Sequence, residues 1–562
     1  MHLSSLTRGF VPAVALLVTC AATEARAQII GTWPTCAFPS GNPTFASSGS
    51  TNALHKELLG KLLFWDEQLS TDRSMACASC HDVLRGGNDK HGGVQHPGFD
   101  GIFGNADDTF GSPGMVRSDS NRDFTPDPIY GVDRQVTGLN APTMIGAAFF
   151  EKLFWDMRAG PDFRDQSGAV VSGFSSNAAL ESQASGPPTS PVEMGHDGIL
   201  WSEIENKLGA LFPLALATNI PATFPVLPGV DYQQMFDLAF GPGPVTREHI
   251  SIAIAAYMRT LIPNQAPVDL GTMTADQVAG LELFRTRGCA RCHSNGGVIE
   301  FNAATQTFTD PNDLLFSDGG PHNIQLVNHS TFPASFPGGV KAPTLRNVGL
   351  RKRLFHSGHI TSVTQAMTVH YNNPSTPLAV RFNPILSTTP PGPGLKSEFD
   401  QVVDFLENAL TDPRVANGVV PFDFPTLHGD NVPFGSNLIG PGSPGTGGLI
   451  PTMIANAPAK LDNQHWRIGL GNALPGALAS LYFAPALQPG QVIGGVPFEL
   501  DSGLAFVSGT STVGPNGTVT VHQAVPSGAG FLGLELDWQW VVADPAATGG
   551  LAASRAAQMF IF

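Results

Sequence analysis

Apolar residues recur at helical spacing in three places along the chain. From Leu54 to Phe64, the positions Leu54, Leu58, Leu59, Leu62 and Leu63 fall on one face. That predicted helix leads through a short polar loop into Cys77-Ala78-Ser79-Cys80-His81. The pattern returns after Thr274, which forms a capping box with Gln277, and Val278, Leu281 and Phe284 line the face that follows. This second helix runs directly into Cys289-Ala290-Arg291-Cys292-His293. A third is predicted over 397–410, where Phe399, Val402, Val403, Leu406 and Leu410 form a stripe that Asp412-Pro413 ends.

Toward the C-terminus the period changes from helical to two. Leu532, Leu534, Leu536, Trp538, Trp540 and Val542 alternate with Glu535, Asp537 and Gln539, which predicts a strand with one buried face. Thr518-Val519-Thr520-Val521 follows an Asn516-Gly517 turn, a hairpin signal. Between these regions, residues 416–460 are rich in Gly, Pro, Asn and Ser, as in Gly440-Pro441-Gly442-Ser443-Pro444-Gly445, and read as a linker. The predicted fold is therefore mainly α. Two helical domains, each carrying one C-x-x-C-H unit (28–265 and 266–415), precede the linker and a C-terminal all-β, sandwich-like domain (461–562).

Composition sharpens this picture without redirecting it. A chain of 562 residues with 42% hydrophobic and 14% charged residues is globular and multidomain. Its 63 Gly and 47 Pro require many turns. A net charge of −16 argues against nucleic acid as a partner and suits a docking protein that is basic where it meets this one. Arg8, the apolar run Phe10–Val18 and Ala25-Arg26-Ala27 form a cleavable signal peptide over 1–27, so the mature protein is expected in the periplasm or secreted. Leu17-Val18-Thr19-Cys20 gives a lipoprotein signal as the second reading. No later stretch is long enough to span a membrane. Four of the six cysteines lie in the two C-x-x-C-H units; Cys20 leaves with the signal, and Cys36 is left as a lone thiol.

C-x-x-C-H is the c-type haem attachment pattern. Two thiols at this spacing reach the two vinyl groups on one porphyrin edge, and the adjoining histidine reaches the iron. A zinc site or a redox pair is the alternative for a single occurrence. Two occurrences, each after a helix and behind a signal peptide, favour two covalently bound haem c groups, so the two helical domains are expected to be cytochrome c-like haem domains. The βαβ context of a thioredoxin-like pair is absent.

Between Leu54 and Arg414 the chain resembles the bacterial di-haem cytochrome c peroxidases and their MauG-like relatives. The matching stretches are Leu59-Gly60-Lys61-Leu62-Leu63-Phe64-Trp65-Asp66, the first haem motif, Asn140-Ala141-Pro142-Thr143 and Phe154-Trp155-Asp156-Met157-Arg158. Leu180-Glu181-Ser182-Gln183-Ala184, Pro191-Val192-Glu193-Met194 and the second haem motif follow in order. The last are Ala342-Pro343-Thr344-Leu345-Arg346-Asn347-Val348 and Leu354-Phe355-His356-Ser357-Gly358.

The resemblance implies roles residue by residue. His81 is the proximal ligand of a peroxide-reacting haem, Glu193 its distal carboxylate and Gln183 a polar neighbour. Trp155 lies between the haems as an electron relay. Asn140 is a side-chain ligand of an inter-haem calcium ion, with backbone carbonyls near Ala342 and Pro343. His293 is the proximal ligand of a second, electron-transfer haem. Its other axial ligand falls fourteen residues after His356, at His370, with Tyr371 beside it and Met367 one turn back. The peroxidase methionine is not at that position, which favours His370 or Tyr371.

The long stretch from His81 to Asn140 offers His91 and His96 as resting-state distal ligands, and its acidic Asp100–Asp108 segment reads as a polar loop before a second calcium site. An insertion separates Arg158 from Leu180. The implied function is reduction of hydrogen peroxide with electrons from a small donor such as a c-type cytochrome, in a chain that can form a homodimer. MauG-like oxidation of a protein or organic substrate, and non-catalytic electron carriage, are the alternatives.

Overall fold

The computed structural model describes residue 33 and residues 51–224, 226–322, 339–372, 386–431 and 437–562. The signal segment and Cys36 lie outside these residues. Among the described residues helix accounts for 28% and strand for 20%, with several sheets, one of them six-stranded. The expectation of a mainly α fold is thereby corrected to a mixed α and β one. The Gly- and Pro-rich chain keeps its helices short, and strands enter even the region of the first haem motif.

Two helical cores are built alike. The helix Thr51–Trp65 buries Leu59, Leu62 and Leu63, while Leu54 at its start stays exposed. It crosses the helix Arg247–Met258 at Gly60, where an added Cβ would lie 1.8 Å from the carbonyl oxygen of Ala253. Only glycine permits so close a crossing. In the second core the helix Ala275–Thr286 starts at the expected capping box, with Gln277 N–H donating to Thr274 Oγ1. It crosses Glu398–Asp404 at Gly280, where a Cβ would lie 2.1 Å from the carbonyl oxygen of Gln401. That third predicted helix is capped by Ser397 and finishes in a π-helical turn, Phe405–Ala409. Phe284, Phe316 and Phe405 meet edge to face or tilted in this core.

After the second core the chain returns to the first. Lys61 makes a bidentate ion pair with Asp423 at 2.8 and 2.9 Å, Trp65 stacks on Phe424, and Glu67 accepts the N–H groups of His428 and Gly429. The Gly- and Pro-rich stretch then supplies strands, Asn437–Ile439 and Thr452–Ile454.

Residues 437–562 form three sheets, two of them facing each other and the third the pair Leu487–Ile493 with Val496–Leu500. In the six-stranded one, Glu535–Ala543 pairs with Leu478–Ala484, Leu551–Ala553 and Ala556–Phe560. The sheet facing it orders Thr452–Ile454, Arg467–Gly471 and Val519–His522. Trp540 crosses between them, its Nε1 donating to the carbonyl oxygen of Gly469. The Asn516-Gly517 turn joins strands of different sheets instead of a hairpin, since Phe506–Thr512 pairs with Leu478–Ala484. The period of two holds for one face of Glu535–Ala543, where Trp538, Trp540 and Val542 are buried. Asp537 and Gln539 are buried as well, because the strand Val496–Leu500 covers the other face and Gln539 bonds to Glu499 N–H and the carbonyl oxygen of Pro497.

Candidate functional site

Both C-x-x-C-H segments close into one helical turn in which the histidine N–H donates to the carbonyl oxygen of the first cysteine. The distances are 3.1 Å for His81 to Cys77 and 3.2 Å for His293 to Cys289. Each imidazole lines a cavity. His81 Nδ1 then donates to the carbonyl oxygen of Gly87 (3.2 Å), and His293 Nδ1 to that of Phe316 (3.1 Å). His370 does the same with Ala366 (2.9 Å). A carbonyl can only accept, so all three rings carry their proton on Nδ1 and their lone pair on Nε2, the tautomer a metal ligand needs. Burial holds His81 and His370 below the usual histidine range and lowers His293 to about 4, so the neutral form is favoured.

The first cavity, about 380 Å³, is lined by Cys77, Cys80, His81, Gln183, Glu193 and Trp155 among mostly apolar neighbours. Gln183 sits on the helix Ala179–Ala184, which a buried pair between Glu181 and Arg259 (2.7 and 3.0 Å) ties to Arg247–Met258. Glu193 is half-buried and lines the cavity. Its enclosure raises its pKa above the ordinary value of 4.5, with a Ser190 hydrogen bond and the charge of Arg158 opposing the rise. Burial likewise pushes the thiols of Cys77 and Cys289 up to about 12 and that of Cys80 higher, so these sulfurs are protonated at neutral pH.

The second cavity is lined by Cys292, His293, His356 and His370. Cys289 of the same motif packs against the second core. Met367 also packs there and does not line the cavity, and the side chain of Tyr371 lies outside the described residues. Trp155 belongs to both linings. Its Nε1 donates to the carbonyl oxygen of Asn140 (2.7 Å), and its ring meets His356 at 6.3 Å between centroids.

Asn140 ties segments together: its Nδ2 donates to the carbonyl oxygens of Arg353 and Phe355, and its Oδ1 accepts from Asn88. The carbonyl oxygen of Ala342 accepts from Ser317. The other sequence candidates lie apart. His91 pairs with Asp89, His96 faces the Tyr130 ring, and neither lines the first cavity. Residues of the 159–179 insertion do not line it either; Phe163 and Phe174 pack with Ile252. Asp107 and Asp108 accept backbone N–H groups of their own loop. Among the described residues, no group of three or more His, Cys, Asp or Glu is placed to hold a metal ion.

Sequence reading missed the cations on the wall of the second cavity, Lys341, Arg351 and Arg353, among which no Asp or Glu lies. Arg351 is 8% exposed and gives two of its N–H groups to the carbonyl oxygens of Thr344 and Arg346. Its buried Nε has no acceptor, and it forms no ion pair among the described residues. A buried guanidinium without an anion is costly. The two propionate carboxylates of a haem supply the missing charge, so the lining fits that group. The basic run Arg351-Lys352-Arg353 was the available signal, but such runs usually mark a solvated face.

Comparison with known proteins agrees with this geometry. Residues 55–277 match the sequence model of the family described as di-haem cytochrome c peroxidase. The chain is 28% identical over 323 residues to the cytochrome c peroxidase Ccp of Escherichia coli K12, covering 56% of this chain and 52% of that protein. It thus spans about half the length of that relative. It is 24% identical to the cytochrome c551 peroxidase of Nitrosomonas europaea, covering 55% of this chain and 70% of that one. To the methylamine utilization protein MauG of Methylorubrum extorquens it is 26% identical, covering 56% and 68%. Two attachment turns each face their own cavity; the family match over residues 55–277, which takes in the first of these turns, and relatives of both the peroxidase and the MauG kind place this region in the di-haem cytochrome c peroxidase family.

Proposed function

We propose that this chain is a di-haem c-type peroxidase that reduces hydrogen peroxide to water with electrons from a small redox protein such as a c-type cytochrome. The observation that carries the reading is Glu193 in one enclosed cavity with Cys77, Cys80 and His81. When bound there, haem supplies the redox iron at which the O–O bond is cleaved. The balance is one peroxide, two electrons and two protons to two waters. Glu193 accepts a proton from one peroxide oxygen and returns it to the other, so that water leaves in place of hydroxide. Gln183, held by the Glu181–Arg259 pair, orients the peroxide by hydrogen bonding. The apolar remainder of the lining limits water, which strengthens these polar contacts.

In this reading Cys289, Cys292 and His293 would hold the second haem, His370 on the same cavity would be a further iron ligand, and Trp155, on both linings, would relay electrons. A calcium ion is not part of this reading. The oxygens of Asn140 and Ala342 proposed for it already accept protein hydrogen bonds, and no carboxylate lies beside them in the second cavity. Export to the periplasm follows from the signal segment, and a homodimer from the resemblance. Among the described residues no helix is long and apolar enough to cross a membrane.

A second reading is MauG-like oxidation of a protein or organic substrate. His370 favours it, because this residue faces the cavity of His293 where a methionine does not. An imidazole ligand gives a lower haem potential than a thioether and eases access to oxidised states.

The reading is tested by the pH dependence of the peroxide reaction in the haem-loaded protein. Glu193 works as a base only when ionised, and its enclosure raises its pKa above 4.5. The rate is therefore expected to rise with pH through an acid limb centred above that value, and Glu193→Gln to lack this limb. A limb that is unchanged in the variant belongs to another group and contradicts the assignment.

A second prediction concerns Arg351. Reduction adds an electron to the haem, which a nearby buried cation stabilises. Arg351→Met is expected to lower the midpoint potential of the second haem in spectroelectrochemical titration, and Arg351→Lys to lower it less. An unchanged potential in Arg351→Met removes this residue from the haem environment.

A further inference from the structure

The loop that carries Glu193 does not hold its own shape. It is laced to a two-stranded hairpin, Pro113–Val116 with Arg134–Val136, inserted between the first haem motif and Asn140. Met115 N–H donates to the carbonyl oxygen of Val192 (3.0 Å), and Gln135 Nε2 to that of Pro191 (2.8 Å). Gly114 lies so close that an added Cβ would stand 1.8 Å from the Val192 oxygen. Beyond Glu193, Arg117 pairs with Asp197 (3.0 Å), and Asp197 N–H donates to the carbonyl oxygen of Ser118 (2.8 Å). The hairpin thus grips the loop on both sides of the carboxylate.

The hairpin's other face is covered by the C-terminal sheets. Alternate residues of one strand point to opposite sides, and here Met115 joins the first helical core while Val116 packs with Phe124, Val132 and Ile454. Phe124 N–H donates to Thr520 Oγ1 (2.7 Å), and His522 pairs with Asp123 (2.8 Å). The guanidinium of Arg467 lies 4.3 Å over the Phe124 ring and bonds to the carbonyl oxygen of Arg122. The strand Arg467–Gly471 approaches without side chains at two points. A Cβ on Gly469 would stand 2.4 Å from the Phe124 ring, and one on Gly471 would stand 2.6 Å from Val132 Cγ1.

We propose that the C-terminal β unit buttresses the first cavity: it presses on the 113–136 hairpin, and Gln135 transmits this support as a positioning residue for the Glu193 loop. The inference rests on the proposed role of Glu193 for its effect on rate, but not for its effect on the loop. Such pre-set placement matters, because a proton transfer across a peroxide depends on sub-ångström position.

Gly471→Ala is a wedge at this joint. Its backbone is compatible with alanine, and the three nearest atoms to the new methyl all belong to Val132. Val132→Ala removes the two of those three that lie beyond Cβ. In the haem-loaded protein, Gly471→Ala is expected to speed amide hydrogen exchange several-fold in peptides covering 112–118 and 190–197. It is also expected to slow the peroxide reaction several-fold and to displace its acid limb. The double variant Gly471→Ala/Val132→Ala is expected to recover all three. Gln135→Leu, which leaves the joint intact, should reproduce the change at 190–197 alone.

Unchanged exchange at 190–197 in Gly471→Ala overturns the proposal, as does a loss that Val132→Ala does not restore. If Glu193→Gln keeps full peroxide reactivity, the role of Glu193 fails, and the exchange data still decide whether the β unit holds the loop.

Discussion

Glu193→Gln is expected to slow the peroxide reaction by about 10²–10⁴-fold, the usual contribution of a positioned acid–base group, with both haems still attached. The substitution keeps the shape of the side chain and its place in the first cavity but removes the group that takes and returns a proton. Glu193 is the one carboxylate on the cavity lining among the described residues. Gln183 is an amide, His81 carries its proton on Nδ1 toward Gly87 and points its lone pair at the iron site, and the remaining lining is mostly apolar. Stopped-flow mixing with peroxide, alongside the pyridine haemochrome spectrum to count haem, separates lost chemistry from lost cofactor. A variant that reacts at the parent rate with two haems in place removes Glu193 from the mechanism.

The largest expected effect on stability is at Arg259. Its guanidinium is 1% exposed, and the Glu181 carboxylate it grips is fully buried, with a further bond to the carbonyl oxygen of Asn177. Breaking such a pair from one side leaves a charge in the interior, at a cost of about 3–5 kcal/mol. Arg259→Met is therefore expected to lower the guanidinium chloride midpoint markedly. Adding Glu181→Leu should recover most of the loss, since both charges are then gone. The helix Ala179–Ala184 that this pair anchors carries Gln183, so the single variant should also react more slowly with peroxide. A loss below about 1 kcal/mol in Arg259→Met contradicts the view that this pair anchors the distal side.

What could be read from the sequence was what is local. The C-x-x-C-H turns, the Thr274 capping box and the Ser397 helix start are encoded within a few residues, and each appears where the pattern places it. His370 was reached by counting fourteen residues on from His356, and it lines the cavity of His293. What escaped depends on distant parts of the chain meeting. Gly60 and Gly280 look like weak points in their helices until a second helix crosses them. Asp537 and Gln539 read as solvent-facing because the strand that covers them lies about forty residues away. Arg351 went unread because the anion that would pair with it belongs, in the proposed function, to a cofactor and not to the chain. The mainly α expectation failed for the same reason: the helices announce themselves by periodicity, whereas strands such as Pro113–Val116 are short and become visible only through their pairing.

Steady-state consumption of hydrogen peroxide by the haem-loaded protein, with a reduced small c-type cytochrome as donor, tests the central claim most directly. The account predicts sustained turnover, two cytochromes oxidised per peroxide, and its loss in Glu193→Gln. Absence of turnover in the parent protein, or equal turnover in the variant, would contradict it.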